Sequence, residues 1–205
     1  MKNQQPTANI QQPRTMLVTG GAGFIGSNFV RLILNEHLNY KVINLDALTY
    51  AGNLRNLRDV KNHPRYKFIK GNVCDKNLVE EIFSDYKPSI VINFAAESHV
   101  DRSIDDPRAF LDTNIMGTYI LLETAKRYWE PTTDSQQQTA RFIQVSTDEV
   151  YGELGEEGYF TEETPLAPNS PYSASKASAD MLARSYFRTY GMPLIITRCS
   201  NNYGP

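Results

Sequence analysis

MLVTGGAGFIG, residues 16–26, sets the reading of the rest of the chain. Met16–Gly20 is a short apolar run closed by glycine, the pattern of a buried strand. Gly20-Gly21-Ala22-Gly23-Phe24-Ile25-Gly26 follows at once and satisfies both GxGxxG and GxxGxxG. Phe24–Asn35 then reads as an amphipathic helix. Glycines at a strand-to-helix turn let the backbone bend tightly. They also bring its N–H groups against a pyrophosphate at the helix N-terminus. Alone the motif is weak, because glycine turns are common. Placed after a strand, before a helix and at the start of a domain, it reads as a dinucleotide-binding loop.

The same alternation continues outward. Further strands are expected at Lys41–Ala47, Tyr66–Val73, Ile90–Ala96, Arg141–Thr147 and Leu194–Ser200. Each is rich in Val, Ile and Phe and apolar on both faces, as strands buried under helices must be. Helices are expected at Asn77–Tyr86, Pro107–Tyr128 and Tyr172–Tyr190. Strand and helix in turn specify an α/β fold with a doubly wound parallel sheet and right-handed crossovers. Met1–Thr15, rich in Gln, Asn and Pro, reads as a disordered leader. Glu130–Ala140 reads as a polar surface loop, and Glu153–Asn169, rich in Gly, Glu and Pro, as a long mobile one. Residues 16–205 form one domain.

Composition excludes several classes of function. The 205 residues carry a net charge of −2 and are 40% hydrophobic. That is enough for one sizeable core but lacks the basic excess of a nucleic-acid binder. The longest apolar run, Ser89–Ala96, is strand-sized and far short of the ~20 residues of a membrane span. No metal-ligand spacing is present. The two cysteines, Cys74 and Cys199, read as reduced thiols of a cytoplasmic protein.

In an open α/β sheet, ligands bind beyond the carboxyl ends of the strands. Asp46 ends the second strand, about twenty positions after Gly26. A carboxylate there accepts the adenosine ribose hydroxyls and repels a 2′-phosphate, which favours NAD over NADP. Gly71–Asp75 follows the third strand; Asp75 equally well caps the next helix. Ala95-Ala96-Glu97-Ser98-His99 follows the fourth, where small residues let a cofactor lie close; His99 reads more simply as structural. Thr147-Asp148-Glu149 follows the fifth. Neighbouring carboxyls in different surroundings have their pKa values driven apart, so one can act as acid and the other as base. Tyr172 and Lys176 stand one helical turn apart on one face. An ammonium there is expected to lower the phenol pKa, so that the phenolate takes a hydroxyl proton as the carbon gives up hydride. Asn201 and Asn202 follow the sixth strand and offer donors and acceptors to sugar or phosphate oxygens.

Together GGAGFIG, Asp46 and Tyr172-x-x-x-Lys176 resemble the extended short-chain dehydrogenase/reductases that act on nucleotide sugars. Residues 46–54 (DALTYAGNL), 95–103 (AAESHVDRS), 146–152 (STDEVYG) and 201–205 (NNYGP) narrow the resemblance to the dTDP-glucose 4,6-dehydratase family. The likeness runs from Met16 to Pro205, and its most specific element is Thr147-Asp148-Glu149. Related epimerases and decarboxylases generally lack that acid pair.

The resemblance implies a Rossmann sheet and an internally recycled NAD. Tyr172 would take the C4 hydroxyl proton as hydride leaves C4. Glu149 would remove the C5 proton while Asp148 protonates the departing C6 hydroxyl. Hydride then returns to C6. Lys176 would hold the nicotinamide ribose, Thr147 would bind substrate near C4, and Ser98 and Asn201 would be further substrate contacts. Gly20, Gly23, Phe24, Ile25, Gly26, Asp46, Ala47, Leu48, Thr49, Asn72, Val73, Ala95, Ala96, Thr113 and Asn202 match positions along the cofactor. Asn72 stands where the family commonly has Asp.

The family's chains continue past NNYGP into a small substrate domain, which is expected to be absent here, leaving little dehydratase activity. The family is usually a homodimer, and Pro107–Tyr128 and Tyr172–Tyr190 resemble the helices that pair across its interface, with packing inside one chain as the other reading of both; the family serves deoxysugar formation such as dTDP-rhamnose biosynthesis. Two other readings stand beside this one: a UDP-sugar 4,6-dehydratase or 4-epimerase, and a non-catalytic NAD-binding fragment.

Overall fold

The computed structural model describes residues 13–129 and 140–204. Most of the expected leader and of the Glu130–Ala140 loop lies outside these residues. Arg14 and Thr15, read as leader, belong instead to the first strand, β1 (Arg14–Thr19), where they pair with Tyr40 and Lys41.

Six parallel strands form one sheet in the order β3-β2-β1-β4-β5-β6. After β1 come β2 (Tyr40–Asp46), β3 (Tyr66–Lys70), β4 (Ile90–Asn93), β5 (Arg141–Thr147) and β6 (Leu194–Cys199). Strand order reverses between β1 and β4, and a crevice opens there beyond the carboxyl ends. Alternate residues of each central strand feed opposite faces. Leu17, Ile43, Val91 and Phe142 pack under α2 (Lys76–Tyr86), α5 (Thr118–Trp129) and α6 (Pro171–Tyr190). Met16, Val18, Val42 and Ile92 pack under α1 (Phe24–Glu36) and the short turn Leu54–Leu57. The doubly wound α/β fold expected from the alternation is the fold found.

β3 and β4 stop short of their expected ends. Lys70 is the last residue to pair with β2, opposite Asp46, and Asn93 the last to pair with β1, opposite Thr19. One last N–H bond from each, Gly71 to the Asp46 carbonyl and Phe94 to the Thr19 carbonyl, closes the ladders, and Asn72–Val73 and Ala95–Ala96 line the crevice instead. The expected single helix Pro107–Tyr128 is three pieces: α4 (Arg108–Phe110), a wide π-type turn (Leu111–Gly117) and α5. One more short helix, α3 (Val100–Asp105), precedes them. Glu153–Asn169 has little regular structure but is anchored: Phe160 stacks on Tyr151 with ring centroids 5.0 Å apart, and the Ala167 N–H donates to the Val150 carbonyl at 3.0 Å.

Candidate active site

The glycine loop shapes one end of the crevice. Gly20 has φ of 67°, and a Cβ on it would lie 2.7 Å from the Ala95 nitrogen. Only glycine lets β1 turn there beneath the β4 exit. Gly26 lets α1 pack against the loop, because a Cβ on it would overlap the Gly20 carbonyl. Helix α1 then starts at Gly23 with no side-chain cap and no acid in its first turn. Its free N–H groups and positive dipole end are available to an anion.

Asp46 is nearly fully buried. Its Oδ2 accepts the Ala22 N–H and its Oδ1 the Leu48 N–H, each at 2.8 Å. This carboxylate therefore fixes the glycine loop and also holds Leu48 in the left-handed region, φ 55°. Each oxygen keeps a lone pair for a ribose hydroxyl. Asn72 accepts the Cys74 N–H at 2.9 Å, and Asp75 caps α2 through the Leu78 N–H. Cys74 and Cys199 are free thiols.

At the β4 exit, Thr19, Asn93 and Gln144 form a buried hydrogen-bonded row across β1, β4 and β5. The Thr19 hydroxyl also accepts the Ala95 N–H at 3.2 Å. Asn114, from the π-type turn, accepts the Glu97 N–H and donates to the Glu97 carbonyl and the Ser175 hydroxyl. The wide turn thus clamps the β4 exit to α6. Burial raises the Glu97 carboxyl above its ordinary value, and Arg102 opposes the rise.

The other end of the crevice is built by α6. A capping box between Ser170 and Ser173, with Pro171 in the first turn, fixes where α6 begins. Tyr172 is thereby held in the first turn, its N–H donating to the Ser103 hydroxyl at 3.1 Å and its ring edge-on to Phe110. Burial pushes the phenol up to about 12; the Glu149 carboxylate adds to the rise and the Thr147 hydroxyl opposes it. Lys176, one turn on, donates to the Val145 carbonyl at 2.6 Å. Burial pulls its ammonium down to about 8, against the charge of Asp180. The expected lowering of the phenol by Lys176 is not found: burial is the largest cause, the Glu149 carboxylate adds to it, and the Thr147 hydroxyl is what opposes the rise.

Thr147 ends β5 and caps the turn Asp148–Tyr151, its hydroxyl accepting the Glu149 N–H and donating to Asp148. The Glu149 carboxyl is raised by burial and by Asp148. Both carboxyls act on the Tyr172 phenol, so the turn and the start of α6 share one neighbourhood.

A single cleft joins Gly20, Gly23, Phe24, Ile25, Gly26, Asp46, Ala47, Thr49, Asn72, Val73, Ala95, Ala96, Ser98, Thr113, Tyr172 and Lys176. Leu48, Thr147, Asp148 and Glu149 stand beside it. Asn201 and Asn202 are exposed on the β6 exit, and the Asn202 amide turns back to the Ser200 carbonyl. His99 is exposed at the start of α3, outside the cleft. Glu97, Ser146 and Phe94 also line the cleft but were not singled out in the sequence. Asn114 was missed too, because a π-type turn has no periodicity signal.

The family model for GDP-mannose 4,6 dehydratase matches residues 17–205. The chain is similar to the dTDP-glucose 4,6-dehydratase of Xanthomonas campestris, at 55% identity over 93% of this chain and 54% of that one. A solved dTDP-glucose 4,6-dehydratase from Bacillus anthracis, in complex with NAD, superimposes with a TM-score of 0.82 at 53% identity, covering 94% of this chain and 56% of its own. The Streptomyces venezuelae enzyme of the same name, solved with NAD bound, gives 0.83 at 48%, covering 93% and 57%. The chain spans about half the length of the curated relatives it matches.

Proposed function

The chain belongs to the GDP-mannose 4,6 dehydratase family, and on that premise we propose that it is the cofactor-binding and catalytic part of an NAD-dependent dTDP-glucose 4,6-dehydratase, a hydro-lyase. The observation that carries this is the shared cleft. Its one end is an uncapped helix N-terminus with Asp46 beside it, and its other end is Tyr172 and Lys176 next to Asp148-Glu149.

The residues present fit NAD. The α1 N-terminus suits a pyrophosphate, and Asp46 suits a 2′-hydroxyl and repels a 2′-phosphate. When bound, the oxidised nicotinamide supplies a reversible hydride acceptor and a positive charge. Lys176 would hold the nicotinamide ribose. Tyr172 would release its own proton to solvent, a loss that burial opposes and a neighbouring cation favours, and the phenolate would then take the C4 hydroxyl proton. A ketone at C4 acidifies C5. Glu149 would remove the C5 proton; burial and the neighbouring Asp148 raise its carboxyl. Asp148 protonates the departing C6 hydroxyl, and Thr147 and Ser98 orient the sugar.

Several coarser features belong to the same reading. The exposed Met116, Tyr119, Met181 and Phe187 on the π-type turn, α5 and α6 suit a homodimer paired through these helices. Supply of deoxysugar precursors such as dTDP-rhamnose, in the cytoplasm, fits the proposed chemistry. Among the described residues no helix is long and apolar enough to cross a membrane.

The test is calorimetric titration of the chain with NAD⁺ and NADP⁺, joined to an assay for 4-keto product from dTDP-glucose with the full-length protein. Preference for NAD⁺ and formation of the 4-keto-6-deoxy product support the reading. Equal binding of the two cofactors, or product from a UDP-sugar alone, overturns it.

A further inference from the structure

Lys176 is buried, and one turn further along α6 Asp180 is completely so. Asp180 Oδ2 accepts from Arg198 Nε on β6 at 2.9 Å, while Oδ1 has no hydrogen-bond partner. Burial raises the Asp180 carboxyl above its ordinary value, and Arg198, the Ser146 hydroxyl of β5 (itself without a formed hydrogen bond) and Lys176 oppose the rise. Arg198 is fixed in turn: its Nη1 donates to the Tyr151 hydroxyl at 2.9 Å and its guanidinium lies over that ring. Three elements thus converge on one buried carboxylate whose hydrogen bonding is incomplete. As packing this is poor, because a buried ion pair often stabilises no more than apolar residues of the same volume. As electrostatics it is effective, because Asp180 sits at i+4 from Lys176, on the same helix face.

We propose that Asp180, whose carboxylate Arg198 anchors one turn from Lys176 on the same face of α6, is the positioning residue for the Lys176 ammonium beneath the cleft. This rests on the reading of Lys176 as a cofactor-holding group. The other charged or titratable groups nearby are Tyr172 on α6, Asp148 and Glu149 after β5, which act on Tyr172, and Tyr151 behind Arg198. The π-type turn contributes the neutral Asn114, and α3 the neutral Ser103. Of these groups, Asp180 is the one whose charge bears on Lys176. Burial favours the neutral form of a lysine, and a neutral amine is a poor donor to ribose oxygens. Arg198 lies on the strand that leads into Asn201 and Asn202, so the same pair ties the β6 exit to Lys176.

The test is an NMR titration of the chain labelled with ¹³Cε-lysine and free of cofactor, with the Lys176 signal assigned by its loss in Lys176→Met. Asp180→Asn is expected to move the Lys176 midpoint to lower pH by about one pH unit, and Asp180→Glu to restore most of it. Arg198→Met should act in the same direction, because a buried carboxylate without its guanidinium takes up a proton. In parallel, the alkaline fall in NAD⁺ affinity should move down in pH with Asp180→Asn, whereas a purely structural staple would weaken binding equally at every pH. An unchanged Lys176 midpoint in folded Asp180→Asn overturns the proposal; should that variant not fold, an unchanged midpoint in Arg198→Met does so. If the wild-type chain binds no NAD⁺, the cofactor reading fails, and the lysine titration still decides the role of Asp180.

Discussion

Lys176 donates its hydrogen bond to the carbonyl of Val145, 2.6 Å away in the neighbouring strand. The bond holds the ammonium under the cleft, but burial makes its charge costly. Its folded pKa of about 8 lies below the unfolded lysine value, so between about pH 8 and 10.5 the unfolded chain binds the extra proton. Stability from this group therefore rises with pH across that window. The stability of wild type relative to Lys176→Met should rise by roughly 3 kcal/mol between about pH 7 and pH 10.5, read from urea unfolding at stepped pH. Tyr172 has the opposite sign. Its folded pKa of about 12 lies above the unfolded value, so its contribution is complete below pH 10 and is lost between about 10 and 12.

Asp46 ties β2 to the glycine loop through the Ala22 N–H. Asp46→Ala removes the acceptor of two backbone donors, Ala22 and Leu48. Hydrogen bonds to a charged acceptor contribute ~1.5–3 kcal/mol each. Thermal unfolding should show a loss of about that size or more, and calorimetry a fall in NAD⁺ affinity of at least ~10-fold. Unchanged affinity would show that the carboxylate serves the loop alone.

Gly20→Ala sets a Cβ 2.7 Å from the Ala95 nitrogen at a left-handed residue. Strain and crowding should cost on the order of 2–4 kcal/mol. The cleft should distort with it, so NAD⁺ binding should disappear before the fold does. Circular dichroism with calorimetry on the same sample separates the two.

Glu149→Gln and Asp148→Asn change carboxyls that stand beside the cleft rather than in it. NAD⁺ affinity should stay within about 2-fold of wild type, whereas turnover in the full-length protein should fall by ~10²–10⁴-fold. Deuterium uptake at C5 from heavy water distinguishes the roles: lost with Glu149→Gln, retained with Asp148→Asn. Uptake unaffected by Glu149→Gln would overturn its assignment as the base.

Legibility followed the reach of each signal. GGAGFIG was decisive because glycine, strand and helix occur in direct succession, and the structure sets them as expected. Asp46 and the pair Tyr172 and Lys176 were found from fixed spacing along an element. Asp180 and Arg198 were not, because neither has a distinctive local pattern and their meeting depends on how β6 lies against α6. Asn114 was hidden by a turn that breaks the helical period. The pKa direction of Tyr172 was hidden for a related reason: spacing places a lysine one turn away, but burial depends on what packs above the phenol.

The sequence by itself determined the alternation of strands and helices, the two-faced burial of the strands and the residue types at each strand end. Those properties follow from residue type and short-range periodicity. The tertiary structure alone decided which strand ends share a crevice, where β3 and β4 stop pairing, and that desolvation governs Tyr172 and Lys176. These depend on strand order and packing density, which are properties of contacts between residues far apart in the chain.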